Sequence, residues 1–314
     1  MFQNKTLSLG EWQAIMTLAY SAQFEFPLTS NEIKQRLMSA QFVGKVVKRQ
    51  GLSMRANSKS STVGLALAQL VKKKLVATDG RYYWLAGDNH AGWAQLRKKR
   101  TKISQQLRQE LALVKLILRF FPKVVAAGIT GSLAMDNAKQ GADLDLILIT
   151  RPDSLWINRA GVLLMALILG KKIWPWQSGQ DRWCLNLWLE SDALSLPKRK
   201  QCLYTAYEVL QIDWFYDVDH CGVKFFQQNN WISDFLILKK PLEKSVKSEV
   251  VKKTTRLMAK INEWIFKKQS RHLQQKNLIP SENLSLKQAF LHDDISYQQY
   301  QAGWQKMIKR VGVE

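Results

Sequence analysis

Two β-prone segments joined by a short turn and a polar loop constrain the fold of this chain more than any other part of its sequence. Residues 123–130 (KVVAAGIT) form the first segment, which breaks at Gly131 and Ser132, and residues 143–150 (DLDLILIT) form the second. Residues 133–138 can form a brief helix with Ser132 at its start. The sequence therefore predicts a strand, a tight turn, a short helix, a loop and a second strand within an α+β fold.

Polar residues with the chemistry of a phosphate and metal site stand at the ends of this unit. Asp143 and Asp145 open the second strand, where residues i and i+2 point to the same face. Adjacent carboxylates repel each other unless a cation neutralises them, and Mg²⁺ accepts carboxylate and phosphate oxygens together. Gly131 lets a ligand approach the backbone, the helix N-terminus offers N–H groups to phosphate, and Ser132 adds a hydroxyl.

The unit resembles the signature of the DNA polymerase beta-like nucleotidyltransferase superfamily, strongly over residues 124–150 and weakly to residue 240. The resemblance implies that Gly131 and Ser132 hold a nucleoside triphosphate and that Asp143 and Asp145 coordinate Mg²⁺ or Mn²⁺. It also implies transfer of a nucleotidyl group from the triphosphate to a hydroxyl of RNA, protein or a small molecule. The arrangement is similar to uncharacterised bacterial proteins that join a winged helix to such a domain.

The resemblance also implies a third carboxylate on a later strand, and here the sequence departs from the family. In the candidate strand, residues 182–190, alternation predicts a leucine face and an opposite face with Asn186 and Glu190. Asn186, the third candidate catalytic residue, can ligate a metal but cannot act as a general base near neutral pH. Glu190 is the substitute acid. Three alternatives stay open: a nucleotidyltransferase, a non-catalytic, DNA-binding regulator whose degenerate domain binds nucleotide, or a scaffold in which both modules serve protein contacts and which binds no nucleotide with Mg²⁺.

Residues 1–90 follow the order of a winged helix-turn-helix domain. Helices are predicted from residue 7, after Thr29 (in capping-box spacing with Glu32) and after Ser60 or Ser61, and Asp79-Gly80 between β-prone runs predicts a hairpin. The third helix of such domains commonly enters the major groove of DNA. A basic stretch precedes it here, with Lys45, Lys48, Arg49, Arg55 and Lys59. Binding of DNA and docking of a protein are the two interpretations.

The rest of the chain is predicted to form a connector and two further regions. Residues 91–121 are predicted to be one connector helix, whose basic first half is either a solvated face or a phosphate contact. Residues 122–240 are the expected small mixed-sheet nucleotidyltransferase domain, with an aromatic-rich turn at 214–216. Residues 241–314 are the expected basic helical C-terminal extension, with a long amphipathic helix over 243–273.

The formal charge of +22 favours polyanionic partners, meaning nucleic acid, nucleotide phosphates or an anionic membrane surface. Three cysteines without paired spacing indicate neither a disulfide framework nor a zinc site. The longest apolar run, residues 160–169, falls short of the roughly 20 residues that span a bilayer, and the N-terminus lacks the layout of a signal peptide. A cytoplasmic location is expected.

Overall fold

The computed structural model describes residues 6–55, 62–87, 92–173, 182–238, 255–276, 278–291 and 295–313. Over these residues the chain is a mixed α+β protein with a three-stranded sheet followed by a five-stranded sheet. The elements of the N-terminal part are α1 (Leu9–Ala22), β1 (Leu28–Thr29), α2 (Ser30–Gln35), α3 (Ala40–Arg49), α4 (Val63–Lys72), β2 (Val76–Thr78) and β3 (Tyr82–Leu85).

Local signals in the N-terminal part are largely confirmed. Thr29 and Glu32 form the capping box of α2, and β2 pairs with β3 in an antiparallel hairpin whose turn is held by Asp79. The basic stretch, however, holds the additional helix α3, so this part has four helices rather than three. Helix α4 begins after Thr62, whose side chain caps it, and not after Ser60 or Ser61, which lie outside the described residues.

The remaining elements build the five-stranded sheet and the helices around it. They are α5 (Trp93–Leu107), α6 (Glu110–Leu118), β4 (Val124–Ile129), α7 (Gly131–Ala134), β5 (Leu144–Thr150), α8 (Leu155–Ile168), β6 (Trp183–Glu190), α9 (Leu203–Gln211), β7 (Asp213–Asp217), α10 (Cys221–Gln228), α11 (Arg256–Gln275), β8 (Gln288–Phe290) and α12 (Ile295–Val313). The strand order is β7-β4-β5-β6-β8, and only the β5–β6 pairing is parallel among these described strands.

Three predictions about these elements were wrong. Residues 214–216 lie in the edge strand β7 rather than in a turn. The connector is two helices, because the backbone around Arg108 and Gln109 tightens to hydrogen bonds three residues apart. The C-terminal region is not purely helical, since besides α11 and α12 it adds β8 to the sheet, and its long helix is described only from Arg256.

Strand β5 is buried on both faces, which explains its continuous apolar sequence. Leu144, Leu146 and Leu148 pack in one core, together with residues of α6 and α8. Ile147 and Ile149 point into a second core on the other face, which the sheet shares with α9 and the N-terminal helices. A strand covered on both sides carries apolar residues at successive positions instead of alternating ones.

The N-terminal part packs directly on the second face of the sheet. Tyr20 of α1 stacks on Tyr207 of α9 with ring centroids 4.1 Å apart, and the Tyr207 hydroxyl donates to the carbonyl of Arg36. Trp304 of α12 donates its indole N–H to the carbonyl of Met16. Residues 1–90, predicted as a separate domain, therefore share a hydrophobic core with the region predicted to be catalytic.

Two arginines of α5 fix this packing. Arg97 is buried against Glu32 and over the ring of Phe26, 4.2 Å from its centroid. Arg100, only 4% exposed, pairs with Glu25 and donates to the carbonyl of Phe24 and the side chain of Asn137. The basic half of the connector is therefore partly structural, although Lys98, Lys99 and Lys102 on the same helix are exposed. Within the described residues no helix is long and apolar enough to cross a membrane.

We expect Arg100→Ala to lower the free energy of unfolding by about 2–4 kcal/mol, because it leaves buried acceptors without their donor. Urea denaturation followed by tryptophan fluorescence measures this loss. Lys99→Ala, an exposed neighbour on the same helix, is the matched control and should stay within about 0.5 kcal/mol of the wild type. Equal stability of the two variants would contradict the role given to Arg100.

Candidate functional site

The turn after β4 is held against β5 and α9. Gly131 has φ of +63°, and a Cβ on this residue would lie 2.6 Å from Asp145 Oδ2. Its N–H donates to Glu208 Oε2 over 3.2 Å, while the N–H of the preceding Thr130 donates to the carbonyl of Asp145. Both the left-handed backbone and the close carboxylate require glycine at this position.

Asp143 is held as an anion by Arg182. The guanidinium donates to both carboxylate oxygens, with Nη2 2.7 Å from Oδ2, and the backbone N–H of Arg182 donates to Oδ1 over 2.9 Å. Burial by itself would raise the pKa of Asp143, but these contacts hold that pKa below its usual value. Burial and the two nearby aspartates raise the pKa of the neighbouring Cys184 thiol, so this thiol is not a ready nucleophile.

Asp145 has the opposite electrostatics. Burial, together with the charges of Glu208 and Asp143, raises its pKa to about 7, although Asn186 Nδ2 donates to its Oδ1 over 2.6 Å. The amide of Asn186 therefore acts as a donor to Asp145 in this structure. The two aspartates thus differ in charge state near neutral pH: one is ion-paired and the other titrates there.

Asn186 occupies a β-bulge, which makes the predicted alternation of β6 wrong. Leu146 pairs with Leu185 and Ile147 with Leu187, so Asn186 has no partner residue on β5. The extra residue turns Leu187 to the opposite face from Leu185.

Glu190 consequently lies away from the site. Its carboxylate accepts the backbone N–H groups of Ser154 and Leu155 at the start of α8, over 2.9 and 3.2 Å. A buried acid at this position satisfies N–H groups that a helix start leaves without partners. Glu190 therefore caps a helix and is not the substitute acid suggested by the sequence.

Glu208 is the acid that sequence reasoning missed. It projects from α9, accepts the Gly131 N–H, and lies close enough to Asp145 to raise the pKa of that group. Burial raises the pKa of Glu208 itself to about 7. It lines a cavity of about 80 Å³ beside Thr130 and Asn186. The available signal was an acid one turn beyond Tyr204 in a helix that is otherwise uncharged.

Four of the five predicted residues share one cleft of about 590 Å³, a volume typical of small-molecule sites. Ser132, Asp143, Asp145 and Asn186 line it, and the backbone of Gly131 lies against its floor at Asp145. Other walls come from distant elements. The residues are Gln23 and Phe24 at the end of α1, Tyr300 on α12, and the cationic Lys139 and Arg182.

Aromatic rings connect the three parts of the chain along this cleft. The ring centroids of Phe24 and Tyr300 lie 4.9 Å apart, and Tyr300 stacks on Tyr204 of α9 at 5.2 Å. One wall of the cleft is thus formed by the N-terminal part and the C-terminal helix together. Neither local motif nor strand pattern predicts this contribution.

The donor set fits Mg²⁺ only in company with a phosphate. Among the described residues no group of three or more His, Cys, Asp and Glu side chains is arranged to hold a metal ion. Mg²⁺, however, is commonly bound by one or two carboxylates with substrate phosphates and water completing its shell. Asp143 and Asp145, on one face beside an open cleft, match that incomplete set.

Comparison with known proteins places no further constraint on the site: no family model matches this chain, and neither a curated protein nor a solved structure is similar to it. The structure alone shows that Asp143, Asp145 and Glu208 lie close together. Two of these acids are neighbours in sequence, and the third is brought to them by packing of α9.

A pair of glycine substitutions tests the contact at the turn. Gly170→Ala meets open space at φ of +71° and should cost about 1–2 kcal/mol from the backbone alone. Gly131→Ala has a similar backbone cost and also displaces the Asp145 carboxylate, so we expect a further loss of about 1–3 kcal/mol. Chemical denaturation of both variants measures the difference. Equal losses would show that Asp145 does not press against the turn.

The raised pKa values of Asp145 and Glu208 predict how stability depends on pH. Their ordinary values of 3.8 and 4.5 rise to about 7, so between these limits the folded protein holds protons that the unfolded chain has lost. Stability from these groups is therefore fully present below the ordinary values and is lost as pH rises towards 7.

We expect the melting temperature of Asp145→Asn/Glu208→Gln to fall less than that of the wild type between about pH 5 and about pH 8. Part of the slope should remain, because burial raises the pKa of Glu190 as well. Asp234→Asn, at an exposed aspartate outside the cleft, is the control and should keep the wild-type slope. An unchanged slope in the double variant would contradict the protonated state of the two acids.

Proposed function

We propose that the chain is a metal-dependent nucleotidyltransferase that transfers a nucleoside monophosphate group from a triphosphate to a hydroxyl acceptor. The observation that carries this proposal is the cleft in which Ser132, Asp143 and Asp145 face Lys139 and Arg182. The carboxylates can bind a divalent cation, and the two cationic side chains can bind phosphate oxygens. Both kinds of group line the same cleft, which is large enough for a nucleotide.

Lys139 and Arg182 are the groups proposed to bind the phosphates. Lys139 is largely exposed at the cleft, and Arg182 presents a guanidinium that can bind phosphate through two N–H groups. Arg182 also neutralises Asp143 before nucleotide arrives. An entering triphosphate competes for Arg182 and so releases Asp143 for the metal.

Mg²⁺ or Mn²⁺ on Asp143 and Asp145 would supply charge neutralisation at the phosphates. The acceptor oxygen forms a bond to the α-phosphorus as the bond from that phosphorus to the β-phosphate oxygen breaks, and pyrophosphate leaves with the electron pair. The hydroxyl proton needs a base. Glu208 lies beside Thr130 and Asn186 in the adjoining cavity, and burial raises its pKa to about 7. It is the acid that we assign to this task, whereas Asn186 cannot accept the proton.

A second candidate function is binding of nucleotide without turnover. Both aspartates already have protein partners, Arg182 on Asp143 and Asn186 on Asp145, which favours a site that can rest without a metal. In that case the chain would be a regulator whose N-terminal part contacts DNA. Exposed cations available for phosphate there include Lys45, Lys48 and Arg49 on α3.

Incubation with α-labelled triphosphates, Mg²⁺ or Mn²⁺, and total RNA and protein distinguishes the two functions. We expect the wild type to transfer label and Asp143→Asn/Asp145→Asn to transfer none above background. Glu208→Gln should lose about 10²–10⁴-fold in rate if it removes the general base. Asp192→Asn, outside the cleft, should retain wild-type activity.

Nucleotide binding, measured by calorimetry with the same variants, completes the test. Binding that depends on Asp143 and Asp145 without any transfer of label would support the regulator and contradict the enzyme. No binding by the wild type would contradict both functions. Full transfer by Glu208→Gln would leave the enzyme standing but remove Glu208 as its base.

A further inference from the structure

Exposed apolar side chains are concentrated on the helices that cover one face of the five-stranded sheet. Phe120 beyond the end of α6, Ile168 on α8, and Leu257 and Trp264 on α11 are between 62% and 69% exposed among the described residues. Single exposed apolar residues are ordinary, but a concentration on one layer marks an interaction surface.

Helix α11 has two apolar faces, and only one of them holds the helix in the fold. On its inner face Phe266 packs against Trp156, and Asn262 accepts the backbone N–H of Trp156 over 2.8 Å. Leu257, Ile261 and Trp264, at i, i+4 and i+7, form a second stripe on the outer face. This second stripe is here called the outer stripe.

Exposed cations flank the outer stripe. On α11 they are Arg256, Lys260, Lys267, Lys268 and Arg271. The acids on the same layer are already neutralised: Glu263 pairs with Lys267, and Glu110 of α6 pairs with Lys171 after α8, each over 2.6 Å. The described part of this layer therefore combines protruding apolar side chains with uncompensated positive charge.

The exposed apolar side chains and the uncompensated positive charge together indicate which kind of polyanionic partner fits this surface. A second copy of the chain would set like charges against each other across the contact. Nucleic acid phosphates would meet the cations but would not need Leu257 and Trp264. An anionic bilayer meets both requirements, because apolar side chains enter the headgroup boundary while lysines and arginines stay with the lipid phosphates.

We propose that the outer stripe of α11 binds the chain peripherally to an anionic phospholipid bilayer. Leu257, Ile261 and Trp264 enter the interface, and the flanking Lys260 and Lys268 contact lipid phosphates. Trp264, with Lys268 5.8 Å from its ring, combines the aromatic and cationic groups that favour the headgroup level. This surface is independent of the proposed catalysis.

Flotation of the full chain with lipid vesicles tests the proposal. We expect binding to vesicles of phosphatidylcholine mixed with phosphatidylglycerol, little binding to phosphatidylcholine alone, and weakening by salt. Leu257→Ser/Trp264→Ser should lower the apparent affinity for the anionic vesicles by at least about tenfold. Lys260→Glu/Lys268→Glu should weaken binding as well.

Leu65→Ser is the matched control, because Leu65 is 59% exposed on α4, away from this layer, and it should bind vesicles like the wild type. Circular dichroism establishes that each variant is folded. Equal binding to neutral and anionic vesicles, or equal loss in the Leu65 variant, would overturn the proposal. So would a dimer in light scattering that dissociates in Leu257→Ser/Trp264→Ser, or binding of RNA but not of vesicles.

Discussion

The contact of Gly131 with two acids is the constraint on which the site depends. Its backbone lies against Asp145, and its N–H donates to Glu208. The turn, β5 and α9 are thereby brought to one point. Because the turn must pass so closely, the Asp145 carboxyl is desolvated and its pKa rises, which makes the charge state of the site a consequence of the backbone path.

The two-sided burial of β5 explains why the N-terminal part is more than an attached module. The second face of the sheet would be exposed without α1 and α9, since Ile147 and Ile149 share a core with them. The arginines of α5, which are themselves buried, secure that packing through Glu25 and Glu32. The same packing carries Gln23 and Phe24 into the wall of the cleft. The N-terminal part is therefore a component of the cleft itself.

The features that the sequence predicted correctly are those determined by residues close together in the chain. The turn at Gly131, the side-by-side aspartates, the capping box at Thr29 and the hairpin at Asp79 depend on backbone preferences over a few residues, and the structure has all of them. The bulge at Asn186 was missed because it is a matter of pairing with β5, which alternation along β6 alone cannot reveal.

Features set by distant contacts escaped prediction for the same reason. Glu208 reaches the site only through the packing of α9, and β8 joins the sheet from a region that reads as helical. The buried Arg97 and Arg100 look like surface charge until their acidic partners, far away in sequence, are known. The net charge of a sequence does not show which cations form ion pairs within the folded protein.

The position of Glu208 explains why an amide rather than a carboxylate is suited to position 186. An acid at 186 would place a further negative charge directly on Asp145, which already feels Glu208 and Asp143. The amide instead donates to Asp145 and lowers the pKa that burial raises, while adding no charge of its own. A carboxylate on the helix combined with an amide on the strand keeps three acids within one site. The absence of an acid at position 186 is thus no argument by itself against the proposed turnover, because Glu208 of α9 is the acid proposed to act as the base.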